Sequence, residues 1–317
     1  MEISNIRNSN GKDYISFKKE LFIKPNIILF NIILPWIMIC ANIFLISQIK
    51  NLYLNLLILP ISAFWMAFWI RAYLLHFHEI AHFNIHKNKK INDIIGNVFF
   101  TPFFGMWIKQ YRKHHWKHHN HLGTHDDTEV SYHSPINLRE ITSGLMGIYI
   151  IQMLFKYFFY FSEKNNDESN RLKNTFLFIA SLLLMIATQI IISFILYNFF
   201  SIFLAISWLL GFFIFSPFLE KIRQTCEHRS FDSSKDIDYK KVEHGPVTRL
   251  FGDNFFSKYF GAAGFNKHLL HHIDPEVSYT CFKELEDFLI KSDLSNLILS
   301  NKSSYLKTFK SLYNKQY

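Results

Sequence analysis

The chain has 317 residues, half of them apolar and 18% aromatic, and carries a formal charge of +9. Its mean hydropathy is only +0.08, because long apolar blocks alternate with charged, histidine-rich ones, the segregation expected of a membrane part and an aqueous part. No recognition motif accompanies the basic charge, so no nucleic-acid partner is expected, and three scattered cysteines (Cys40, Cys226 and Cys281) suit neither a disulfide framework nor a thiolate metal site.

Residues 1–25 are polar and basic, unlike a signal or transit peptide. From Pro25 to Ile49 the chain is almost wholly apolar, with Asn31, Pro35 and Asn42 as exceptions. At about 1.5 Å per residue this stretch can cross a ~30 Å hydrocarbon core. Lys50 and Asn51 make a minimal turn, and Leu52 to Leu75 is a second span, so 26–75 is expected to be a transmembrane hairpin. Its second helix delivers His76, His78 and His82 at the exit. Arg71, one turn earlier, is expected to snorkel to the interface.

Residues 76–172 are expected to form one part of an aqueous cap. Within them Val98 to Trp107 is apolar but too short to span, and it contains Pro102 and Gly105, which suits an interfacial or buried segment. Thr142 to Phe161 is apolar but broken by Gln152 and Lys156. Asn174 to Leu219 is long enough for two spans with a turn near Tyr197 to Ser201, giving a second hairpin over 173–220. Residues 221–317 complete the cap.

If every histidine cluster belongs to one site, the chain must cross an even number of times between His82 and His228. Residues 142–161 are therefore expected to lie on the membrane surface, with a polar edge at Gln152 and Lys156. Charge counting agrees. Segments 1–25, 76–141 and 221–317 hold 5, 8 and 15 Lys and Arg, while the opposite turns hold only Lys50. Both termini and all histidine clusters are expected on the cytoplasmic side of a multi-pass protein, here of a bacterial inner membrane.

Eleven of the sixteen histidines fall between His76 and His133. His78 and His82 are four apart, about 40° around a helix. His115, His118 and His119 repeat at i, i+3, i+4, as do His268, His271 and His272, so each trio forms one helical stripe aimed at a common point. Structural zinc is almost always four-coordinate, so this many imidazoles implies two metals. A metal transporter would need ionisable residues inside its spans, and none of the four expected spans has an interior Asp, Glu or His.

HEIAH, HHWKHH and HLLHH resemble the three histidine boxes of the membrane fatty acid desaturase superfamily. NKKINDIIGN, HLGTHDDTE and NKHLLHHIDPEVSY resemble its connecting sequences, and RQTCEH (Arg223 to His228) is similar to a fourth element whose histidine also binds iron. The resemblance covers roughly residues 50 to 285. It implies an all-α membrane protein with four transmembrane helices in two hairpins, a cytosolic helical cap, a substrate tunnel and a non-haem di-iron centre. Carried onto this sequence, it implies His78, His82, His115, His118, His119, His228, His268, His271 and His272 as iron ligands. It leaves His76, His86, His114, His121, His125, His133 and His244 unassigned.

Neutral imidazoles do not offset the charge of two metal ions, so nearby carboxylates are expected to orient the rings. Glu79, Asp126, Asp127, Glu227, Asp274 and Glu276 are the candidates, and Asn266 could orient a water or ligand. Glu227 is expected to pair with Arg223 four residues earlier. The implied reaction is O2-dependent desaturation of a fatty acyl chain or related lipid. Hydroxylation or ketolation of an alkyl or isoprenoid substrate is the alternative on the same scaffold, and metal transport a remote one. No fused electron carrier is recognised. Electrons are expected from a separate ferredoxin, rubredoxin or cytochrome with its reductase, an acidic carrier suiting the basic face.

Overall fold

A computed structural model describes residues 3–163, 168–233, 237, 239 and 241–314. Among them the chain is nearly all helix, with no strand and only isolated bridges. Four helices are long and apolar enough to cross a membrane: Pro25–Ser47, Leu52–Ala81, Leu172–Phe199 and Ile202–His228, here spans 1 to 4. Local chemistry sets their ends. Pro25 stands in the first turn of span 1, where its missing N–H costs nothing. The side chains of Asn51 and Ser201 accept from Leu54 N and Leu204 N at the starts of spans 2 and 4.

Large apolar side chains on the outer faces, among them Leu29, Phe30, Phe44, Leu57 and Phe194, stay exposed. Such a belt is costly in water and natural in lipid. Inside, polar pairs join the helices. Asn42 Nδ2 donates to Ser62 Oγ at 2.8 Å, and Trp208 Nε1 to Gln189 Oε1 at 3.0 Å. At Gly211 a Cβ would stand 2.7 Å from Ala63 O, so only glycine lets spans 2 and 4 meet this closely. A π-helical turn, Gly211–Phe215, begins there and widens the helix at the contact.

The apolar segment around Val98 to Trp107 is an insertion between helices. It runs through a π-helical turn, Gly96–Phe100, and the short helix Thr101–Phe104. It packs along span 3: Trp107 Nε1 donates to Leu177 O, Ser181 Oγ to Gly105 O, and Gln189 Nε2 faces Pro102 O at 3.5 Å. Gly105 closes it in the left-handed conformation, φ 75°, against Met185. Thr101 Oγ1 donates to Met106 O, which meets the backbone demand of irregular chain at this depth.

Ile148–Glu163 has 16 residues, about 24 Å of helix, short of a crossing. Gln152 on it is exposed; the side chain of Lys156 lies outside the described residues. Arg71 departs from expectation. It is buried, donates to Phe260 O at 2.5 Å and lies 3.7 Å from Glu220. With carbonyl and carboxylate partners at hand it has no need to reach the interface.

Beyond the membrane helices, the N-terminal segment folds onto the C-terminal part. Ile6 and Tyr14 pack with Leu270, Phe282 and Leu285. Leu270 and Leu285 are fully buried, worth roughly 1.5–3 kcal/mol each. This core fixes the third histidine box.

Candidate metal centre

Four helices deliver the histidines. Span 2 runs on through His76–Ala81, placing His78 and His82 one turn apart just past the apolar stretch. The helix Ile108–His121 carries His115, His118 and His119, and His268–Ile273 carries His268, His271 and His272. Span 4 continues without a break to His228, so two turns of polar helix lift that ring to the others.

The nine histidines fall into two groups. One is His78, His82, His115, His119 and His271; the other is His118, His228, His268 and His272; in each, one nitrogen from every ring lies within 4.8 Å of the rest. Each trio divides between the groups. Adjacent residues such as His118 and His119 point about 100° apart on a helix. The i, i+4 pairs 115/119 and 268/272 therefore each serve one group, while His118 and His271 serve the other. A single common point per trio was the wrong geometry.

The nitrogens are set for a cation. His119 Nε2 lies 3.0 Å from His115 Nε2 and 2.9 Å from His271 Nε2; His268 Nε2 lies 2.9 Å from His228 Nε2 and 3.1 Å from His272 Nε2. Imidazoles bound at ~2.0–2.1 Å and roughly a right angle apart would show about this spacing. Both ring nitrogens of His78 and of His82 are buried without a hydrogen-bond partner, a cost of about 1–3 kcal/mol per group unless something binds there. The donor set thus fits two metal ions, one per group.

Burial holds His115, His119, His268, His271 and His272 below the ordinary histidine range. The rings are therefore neutral near pH 7, with lone pairs free for a metal. His115 Nδ1 donates to Glu129 Oε1 and His118 Nδ1 to Asp127 Oδ1, both at 2.8 Å, and His228 Nδ1 donates to Val247 O at 2.8 Å. Burial pushes the Glu129 and Asp127 carboxyls up, but His118, with the His115 hydrogen bond to Glu129, holds both below the usual carboxylate range. These partners fix which nitrogen faces inward.

Of the expected carboxylates, Asp127 meets its ring, Glu79 Oε1 stands 3.5 Å from His78 Nδ1 and 4.0 Å from His271 Nδ1, and Glu227 Oε2 stands 3.9 Å from His268 Nε2. Glu227 also pairs with Arg223, as expected, and accepts from Tyr305 OH at 2.9 Å. Asp126 instead pairs with Lys117 and Glu276 with Lys18, and both are largely exposed. Asp274 accepts from Tyr14 OH at 2.6 Å and pairs with Lys18, bracing the chain just after His272. The Asn266 amide donates to Gly252 O and Asp253 Oδ1, a structural role in place of the expected one. The sequence reading missed Glu129, though it ends the quoted HDDTE run. The Val247 carbonyl has no side-chain signal to find. His76, His86, His114, His121, His125, His133 and His244 lie outside both groups.

No curated protein and no solved structure matches the chain. The fatty acid desaturase family matches over residues 51–291, which takes in spans 2 to 4 and all nine histidines. With four membrane-length helices and paired histidine groups, the chain belongs to the fatty acid desaturase family, the membrane oxidoreductases that include desaturases and hydroxylases.

Proposed function

We propose that the protein desaturates an acyl chain of a membrane lipid, using O2 and electrons from a separate ferredoxin, rubredoxin or cytochrome. The observation that carries this reading is the pair of adjacent groups, five and four imidazoles, at the ends of two apolar helices. In this reading each group holds one iron, and the nine histidines are the ligands. When bound, the two irons supply the dioxygen and C–H chemistry.

The chain supplies the rest. Glu129, Asp127 and the Val247 carbonyl hold His115, His118 and His228 in one tautomer and orientation. Their two carboxylates, with Glu79 and Glu227 nearby, offset charge beside a low-dielectric bilayer. Phe265, with its ring 4.5 Å from that of His78 and 4.9 Å from that of His268, gives an apolar wall that keeps water away and a chain close. The histidine side faces the cytoplasm of a bacterial inner membrane in this proposal, on the strength of the lysine and arginine distribution.

Lipid profiling of cells with and without the gene tests the reaction. Desaturation gives a product lighter by two hydrogens. A product heavier by one oxygen would replace this reading with hydroxylation, and unchanged lipids would remove both.

A further inference from the structure

A cavity of about 380 Å³ lies beside the metal centre, and none of the nine histidines lines it. The volume suits a small-molecule site. Its walls come from span 1 (Ile27, Asn31), span 2 (Ala72, His76), the turn at Ala262–Gly264, and Tyr279.

The cavity sits at the level of the bilayer surface. The helix Phe255–Phe260, which contributes Lys258 and Tyr259 to the lining, rests Phe255 on Trp69 and Phe256 on Phe68 of span 2. Both phenylalanines keep an exposed face, 66% and 51%, and Ile27 is 41% exposed. Apolar exposure at this height belongs in lipid.

Its charge is uneven. Asp253 is matched by Lys267 at 2.9 Å. Lys258 and Lys283 are exposed, and neither makes an ion pair among the described residues. The lining therefore offers two exposed ammonium groups that no ion pair engages among the described residues.

Deeper in, His76 Nδ1 lies 3.2 Å from both Ala72 O and Tyr73 O, so it carries the proton and leaves Nε2 as acceptor. Tyr279 OH stands 3.5 Å from that Nε2 and accepts from Asn31 Nδ2 at 3.1 Å. Asn31 Oδ1 remains buried with no hydrogen-bond partner, an acceptor suited to a donor on a ligand. Gly264 and Asn266 both line the cavity, while Phe265 between them turns to His78 and His268. Phe265 thus joins the wall of the cavity to one ring of each histidine group.

We infer that this cavity is the lateral portal for an anionic phospholipid. Its phosphate rests on Lys258 and Lys283, a hydroxyl of its head group donates to Asn31 Oδ1, and its acyl chain passes Phe265 toward the metals. The inference rests on the lipid-oxidising reading and adds the substrate class and the route.

The test is photolabelling in nanodiscs with phosphatidylglycerol carrying a diazirine in its acyl chain, mapped by peptide mass spectrometry. Label is expected on residues 259–266 and 27–31. The double variant K258E/K283E, altered only at exposed positions, should lower it by at least about thirtyfold, the scale two lysines contribute against an anionic lipid. Equal labelling by a matched phosphatidylcholine probe, or no effect of the double variant, would overturn the anionic portal. Labelling here by an acyl thioester of phosphopantetheine but not by the lipid would overturn the bilayer source. Label in the cavity without lipid oxidation in cells would leave the portal standing and remove the reaction. Oxidised lipid with an unlabelled cavity would do the reverse.

Discussion

The five-histidine and four-histidine groups draw on the same kinds of helix but are held differently. In the five-histidine group, His78 and His82 have no hydrogen bond on either ring nitrogen. Packing holds them instead, with Phe265 4.5 Å from His78 and Trp116 5.0 Å from His82, ring to ring. In the four-histidine group, His118 leans on Asp127, which Tyr132 OH and the Glu129 N–H hold at 2.5 and 2.7 Å, and His228 leans on a backbone carbonyl. His78 and His82 depend on the rigid end of a membrane helix, whereas His115, His118 and His228 lean on loop groups that must fold onto them. Small polar substitutions should therefore act through these three rings, one in the five-histidine group and two in the four-histidine group.

The largest effect should come from removing a ring. His119→Ala should empty the five-histidine group and His268→Ala the four-histidine group. Each should leave about one metal per chain and no measurable turnover, while the protein still inserts. His133→Ala, outside both groups, should change neither reading. Full metal content in either ring variant would break the division into two groups.

Next in size is the carboxylate comparison. Asp127→Asn should weaken metal binding in the four-histidine group by about 10–100-fold and leave the five-histidine group nearly intact. Glu129→Gln should act on His115 and so on the other group. Competition with a chelator, followed by elemental analysis, separates the two. Equal losses from both variants would erase the distinction.

The effect of pH is smaller and shared. In the metal-free protein, burial keeps His115, His268, His271 and His272 unprotonated well below the usual histidine range, whereas in the unfolded chain they protonate near pH ~6.5. The unfolded state then binds more protons, so stability is full above about pH 6.5 and declines as pH falls toward the depressed native values. The thermal midpoint should drop between about pH 7.5 and 5.5, and less so in His268→Gln. A flat profile would show that these rings are not buried as described.

Smallest of all, Tyr305→Phe removes one hydrogen bond to Glu227 and should cost about 1 kcal/mol of stability. Its metal content should stay within error of the parent, since Arg223 still holds the carboxylate. A loss of metal from the four-histidine group would give Tyr305 a larger part in the site.

Much of this was legible in the chain because its signals are local and periodic. Four apolar stretches of spanning length, the minimal turn at Lys50 and Asn51, and histidines at three- and four-residue spacing all survive in the fold. What the sequence hid depends on distant partners. Arg71 looked like an interfacial anchor because Glu220 and the Phe260 carbonyl are far away in sequence. The 98–107 segment read as interfacial or buried, but its partner Gln189 could not be read, since that contact is set by span 3. The division of each trio follows from the 100° step between neighbours, which spacing contained and which the single-point picture overlooked. Tyr14 and Tyr305, outside the matched family region, brace Asp274 and Glu227 through contacts that no local pattern announces.

The proposed chemistry requires two metal sites, one from each group. Elemental analysis of protein purified from iron-replete cells, alongside the His228→Ala/His268→Ala double variant, tests it most directly. Two metals per chain in the parent and about one in the double variant is the expected result. A parent that turns over lipid with one metal per chain, or a double variant that keeps both, would contradict it.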